Sequence, residues 1–130
     1  MQPSPWQPPV ELSEQEEHIV KRIRKAKLFV FLRQHRHELL DEALQRELAS
    51  LYREAERGQP PIAPAMLALA LILQAYMGIS DDEVVEATVM DRRWQLVLDC
   101  LDTEQAPISL GTLVAFRKRL IEAKTGSTAH

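Results

Sequence analysis

From position 64 to 77 the chain reads PAMLALALILQAYM, apolar on every side, with Gln74 its one strongly polar residue. Periodicity cannot assign such a stretch, but Pro64 suits a first helical turn and alanine, leucine and methionine are strong helix formers. A central buried helix is expected there. At roughly 20 Å it falls short of a membrane span. Gly78 suits the left-handed position past a helix end, with Ile79 able to fold back on Leu73. A second helix follows at once, because Ser80 and Glu83 have capping-box spacing and Ile79 and Val84 staple spacing. Two helices should meet at a sharp corner.

Upstream, Ser13 and Glu16 open a helix in which Ile19, Val20, Ile23 and Ala26 recur at helical spacing. The apolar pattern continues through Leu28–Leu32, His35, Leu39 and Leu40, and leaves open whether residues 14–40 form one helix or two. Asp41 is placed to cap another, with Leu44, Leu48, Leu51 and Ala55 on one stripe and Gly58 at its end. Gln59–Pro64, with three prolines, reads as a stiff connector.

Downstream, Val84, Val85, Thr88 and Val89 should face inward and Asp82, Glu83 and Glu86 outward. Asp91 can cap a helix carrying Trp94, Val97, Leu98 and Leu101 on one stripe, with Arg92 and Arg93 in its first turn. Cations there oppose the helix dipole, so they need a partner: Asp91 and the acidic face, or DNA phosphate. After a loop over Asp102–Pro107, Ser109 caps a last helix from Leu110 to about Ala123. On its wheel Leu110, Leu113, Val114, Phe116, Leu120 and Ile121 share one side. Arg117 falls among them as a tucked-in arginine paired with a carboxylate, while Thr112, Ala115, Lys118 and Arg119, with Gly111, make the opposite face.

These signals predict an all-α, compact multi-helix domain with a helix-turn-helix-like C-terminal part and Leu67, Leu71, Leu73, Trp94 and Phe116 in its core. Residues 1–12, with four prolines and Trp6, form a flexible Pro-rich arm; 13–123 form the helical domain; 124–130 form a loose tail.

Composition adds little to that picture: 130 residues, 45% hydrophobic and 27% charged, suit one globular domain. A single cysteine, Cys100, excludes an internal disulfide framework, and no charged start with an apolar stretch marks a leader. A cytoplasmic protein without membrane attachment is expected. Net charge is −3, yet it is uneven: residues 1–20 carry −4, 21–57 +4, 58–104 −6 and 105–130 +3.

Candidate chemistry is thin. A two-metal nuclease site needs carboxylates from separate elements, whereas Asp81, Asp82, Glu83 and Glu86 lie along one helix start, so no catalytic residue is assigned. His35 and His37 are two apart, on different helix faces, and no metal site is expected. Cys100 reads as a small buried hydrophobe, and without a phosphate-cradling glycine loop no cofactor is expected. DNA binding remains, because short side chains with flanking cations let a helix enter the major groove. The expected DNA-binding residues are Thr112, Ala115, Lys118 and Arg119, with Arg92 and Arg93.

Taken together, AYMGISDDEVVEATVMDRRWQLVLDCL, PISLGTLVAFRKRLIE and the earlier LFVFLRQHRHELLDEALQRELASLY resemble the N-terminal domain of bacterial insertion-sequence transposases of the InsH type. The resemblance covers roughly Lys27–Ile121. It implies a helical DNA-binding and assembly region ahead of a ribonuclease-H-like nuclease domain. The chain stops short of that second domain, so a non-enzymatic protein binding double-stranded element-end DNA is expected. The alternatives are a helical interaction module, pairing with another copy or with a full-length transposase, and a non-functional transposase fragment.

Overall fold

Helix starts form where the sequence supplies a cap. Ser13 and Ser80 each complete a capping box with Glu16 and Glu83, and Asp41 and Asp91 accept from the amides of Leu44 and Arg93. The computed structural model describes residues 5–52 and 62–128, with side chains described as far as Lys124. The helices are α1 (Glu14–Arg22), α2 (Lys27–Leu39), α3 (Glu42–Ala49), α4 (Pro64–Met77), α5 (Asp81–Met90), α6 (Arg92–Leu98) and α7 (Leu110–Thr128). No strand occurs among the described residues. The expected positions Ala55 and Gly58 and most of the proline connector lie outside the described residues.

Residues 14–40 are two helices. Ile23 leaves α1 in an extended conformation with its side chain buried, and Lys27 Nζ donates to the Ile23 carbonyl at 2.9 Å. Both helices pack on α6, and across the fold-back the Arg33 guanidinium of α2 meets Glu16 of α1 through Nε at 3.0 Å and Nη2 at 2.9 Å. Arg33 is fully buried and Glu16 nearly so, and Arg33 also donates to the carbonyls of Val10 and Glu11. Next to it Arg36, equally buried, donates from Nη1 to the carbonyls of Leu96 and Val97 at the C-terminal end of α6 and from Nη2 to that of Pro9. A cation at that helix end complements the exposed carbonyl dipoles.

Two arginines thus fasten residues 5–12 onto α2 and α6. Gln45 adds a two-sided grip on Trp6, accepting from its amide at 2.6 Å and donating to its carbonyl at 3.0 Å. The Trp6 ring lies 5.6 Å from the Arg36 guanidinium.

The most enclosed element is α6. Trp94, Gln95, Leu96, Val97 and Leu98 are all buried, and the helix packs against α1, α2, α4 and α5. The longer α4, expected at the centre because it is apolar all round, buries Leu67, Leu69, Ala70 and Leu73 but leaves Ile72 and Tyr76 exposed. Of the expected core, Leu67, Leu73, Trp94 and Phe116 are fully enclosed and Leu71 only partly. The corner forms as expected: Gly78 adopts φ +65°, its amide donates to the Gln74 carbonyl at 2.8 Å, and α4 and α5 cross at 106°.

That three-residue turn and near-perpendicular bend match helix-turn-helix proportions. The connector from α6 to α7, residues 99–109, is much longer. α7 packs against α4 and α5 and continues through Thr128. Among the described residues, no single helix is long and apolar enough to cross a membrane.

Candidate nucleic-acid interface

α1 ends in Lys21 and Arg22, and Arg24, Lys25 and Lys27 follow within a few positions. Cations suit a helix C-terminus, and all five side chains are exposed. Because α1 packs on α6, this run meets Arg92 and Arg93 at the start of α6. Arg22, Arg24, Lys25, Arg92 and Arg93, with Ile19, Ile23 and Ala26 as floor, line a cavity of ≈ 360 Å³. No carboxylate is part of that lining. Among the described residues, the side chains of Arg22, Arg24 and Lys25 make no hydrogen bond or ion pair.

The two α6 arginines differ. Arg93 folds back on Asp91, with Nε to Oδ1 at 3.0 Å and Nη2 to Oδ2 at 2.7 Å, and lies 4.7 Å over the Phe29 ring. Asp91 raises its pKa through those bonds, against the opposing effect of burial. The partner expected for a cation at this dipole end is therefore Asp91 for Arg93. Arg92 points the other way, its Nη1 3.3 Å from Asp102 Oδ1, with both side chains more than half exposed. Asp102 also accepts from Gln15 Nε2 at 3.0 Å, so its loop bridges α1 and α6.

The α7 residues lie elsewhere, outside the cavity lining. Thr112 is engaged with Ser109 at the start of the helix and half-buried, as is Ala115. Arg119 stacks 4.5 Å over the Tyr52 ring at the end of α3, so it does not point freely outward. Lys118 is exposed, but its neighbours on that side are Leu110, Val114 and Ile121, expected on the buried face and in fact 43%, 43% and 57% exposed. α7 packs against other helices along one narrow strip, where Leu113 and Phe116 are buried. Arg117 is tucked in as expected: it donates to Asp81 Oδ2 at 3.1 Å and to Gln74 Oε1 at 2.9 Å. Hydrogen bonds from Arg117 and then Gln74 hold the Asp81 carboxyl below its usual range.

Some of the other acidic groups are engaged as well. Glu83 closes the Ser80 capping box and His35 pairs with Glu38 at 2.7 Å. Burial, and then Asp99, pushes the half-buried Cys100 thiol up to about 11, leaving it protonated at neutral pH. Among the described residues no three histidine, cysteine or carboxylate groups converge into a metal-binding set.

The cations at 21–27 are the residues that reading the sequence missed. The run KRIRKAK is plain in the chain, but it vanishes when charge is averaged over 21–57, where six carboxylates offset it.

The fold and this surface define a class: a small all-helical domain, its charges segregated, with one basic groove beside an acidic helix. The family model of the transposase domain (DUF772) matches residues 15–119, and the chain belongs to that family, which gives it a transposase-related role. No curated protein and no solved structure matches it significantly.

Proposed function

We propose that this domain binds double-stranded DNA at the ends of an insertion element, without itself cutting it, and that the basic groove between α1 and α6 carries the contact. One observation supports the reading above the others: five cations from two separate elements line a single groove whose lining contains no carboxylate. Flexible cations without partners suit phosphate oxygens, and such contacts set affinity and register before any base is read. Arg22, Arg24 and Lys25 take phosphates directly, and Arg92 exchanges its exposed Asp102 for one. Arg93, already held by Asp91 and Phe29, shapes the groove wall. Lys118 with Arg119, Thr112 and Ala115 forms a secondary surface. The 106° corner has the proportions of a DNA-reading motif, but α5 opens with Asp81, Asp82 and Glu83, and phosphate repels it. A protein of the cytoplasm fits this role.

Fluorescence anisotropy with duplexes from element ends, at several salt concentrations, tests the proposal. Each neutralised phosphate contributes about −0.9 to the slope of log affinity against log salt, so converting Arg22, Arg24 and Lys25 to alanine should reduce the slope by roughly 3. The pair Lys118→Ala and Arg119→Ala should change it less. The reverse ranking would move the interface to α7, and a slope near zero for the unaltered protein would remove DNA as the partner.

A further inference from the structure

The basic groove has an apolar floor that phosphates do not use. Ile19, Ile23 and Ala26 line the same ≈ 360 Å³ cavity as the exposed cations Arg22, Arg24 and Lys25. A duplex shows phosphates and sugars on its outside and keeps its bases stacked within, so it satisfies the cations and leaves that floor facing water. Arg93, in the same lining, is not set up to grip a phosphate either. Asp91 occupies its Nε–Nη2 edge at 3.0 and 2.7 Å, and the guanidinium lies 4.7 Å over the ring of Phe29. That ring is fully buried and packs against Tyr76 and Trp94, with centroids 6.2 and 6.3 Å away. Two-point pairing and an aromatic backing hold a planar cation still, while the side chain, 34% exposed, keeps part of itself open.

We propose that the groove takes an unpaired nucleotide of the DNA, its base stacked on the Arg93 guanidinium above the apolar floor and its phosphates on Arg22, Arg24 and Lys25. The inference rests on the DNA-binding reading and narrows the substrate from an intact duplex to a duplex carrying an unpaired stretch. A base has a flat apolar face and a polar edge, and arginine planes are among the surfaces on which unstacked bases settle. The fixed plane of Arg93 supplies that surface, and the long flexible cations around it follow a backbone that has left the helix. Because every base offers such a face, the site selects for the unpaired state and not for sequence.

Fluorescence anisotropy with two probes at several salt concentrations tests this: a duplex ending in a short thymidine flap, and the same duplex with the flap made of abasic residues. The flaps carry the same phosphates and differ only in their bases. The unaltered protein should bind the thymidine flap about ten-fold more tightly, as expected for one stacked base, with equal salt slopes. Arg93→Lys keeps the charge and removes the plane, and should erase that difference. The comparison is a ratio within one variant, so a general loss of affinity cancels. Equal binding of both flaps by the unaltered protein, with a salt slope retained, would overturn the unpaired-nucleotide site and leave duplex binding standing. A preference that survives in Arg93→Lys would take the stack away from Arg93. A slope near zero on both probes would remove DNA as the partner, and this inference with it.

Discussion

Burying the Arg33 guanidinium alone would cost several kcal/mol, and Glu16 together with the carbonyls of Val10 and Glu11 offsets that cost. Glu16→Gln should therefore destabilise the fold by about 3–5 kcal/mol, read from the urea midpoint, because an arginine stays buried without its counter-charge. The same residue gives a pH signature. Burial alone would raise the Glu16 pKa, but hydrogen bonds from Arg33 and the Ser13 amide override it and hold the carboxyl below its ordinary 4.5. A folded-state pKa below the unfolded one stabilises the protein above 4.5, and this stabilisation is lost as pH falls through the lower value. Asp81 acts in the same direction through Arg117 and Gln74. Thermal melts should drop steeply below that pH, and less steeply in Glu16→Gln. Arg117→Ala should cost less, about 1–2 kcal/mol, since the side chains of its ion pair with Asp81 are 34% and 28% exposed. A protein that melts unchanged without Arg117 would contradict that packing. The inward turn of Arg117 was legible from its place on the helical wheel. The roles of Arg33 and Arg36 were not, since a buried arginine looks like any surface cation until the fold brings its partner from another element.

Helix ends could be read from local chemistry, because a cap satisfies its own amides within three residues. Ser13, Asp41, Ser80, Asp91 and Gly78 all act where the sequence puts them. Gly78→Ala tests the sharpest of these: a Cβ there would meet nothing within 4 Å, so the penalty is that of the left-handed backbone alone, about 1 kcal/mol. The melting temperature should fall by a few degrees with the fold intact, and a gain in stability would count against the positive φ. Two features of the elements could not be read locally. The break between α1 and α2 is spanned by the Arg33–Glu16 pair, a contact between elements, while Arg24, Lys25 and Ala26 contain no helix breaker. The exposed stripe of α7 depends on how many helices surround it, which a wheel does not tell. The candidate interface was half legible for a related reason: Arg92 and Arg93 stood out against the helix dipole, while their neighbours at 21–27 belong to a distant part of the chain.

Across the whole molecule, residues 5–12 share in the core without belonging to any helix. The family match begins at residue 15, yet the carbonyls that receive Arg33 and Arg36 belong to Pro9, Val10 and Glu11, and the ring facing Arg36 to Trp6. Cutting the chain at that limit would strand buried donors, each costing on the order of 1–3 kcal/mol, and would also remove the Ser13 cap. Arg36 has no slack to absorb this: its Nε is already buried without a partner, and burial, then the charge of Arg33, lowers its pKa to about 10. A protein beginning at residue 13 should therefore melt far below one beginning at residue 5, and a protease that nicks the arm should trigger unfolding and not simply trim an end. The proline-rich leader then acts as a strap: whatever pulls on it, whether a fused partner or a tether, pulls directly on the seam where α2 meets α6.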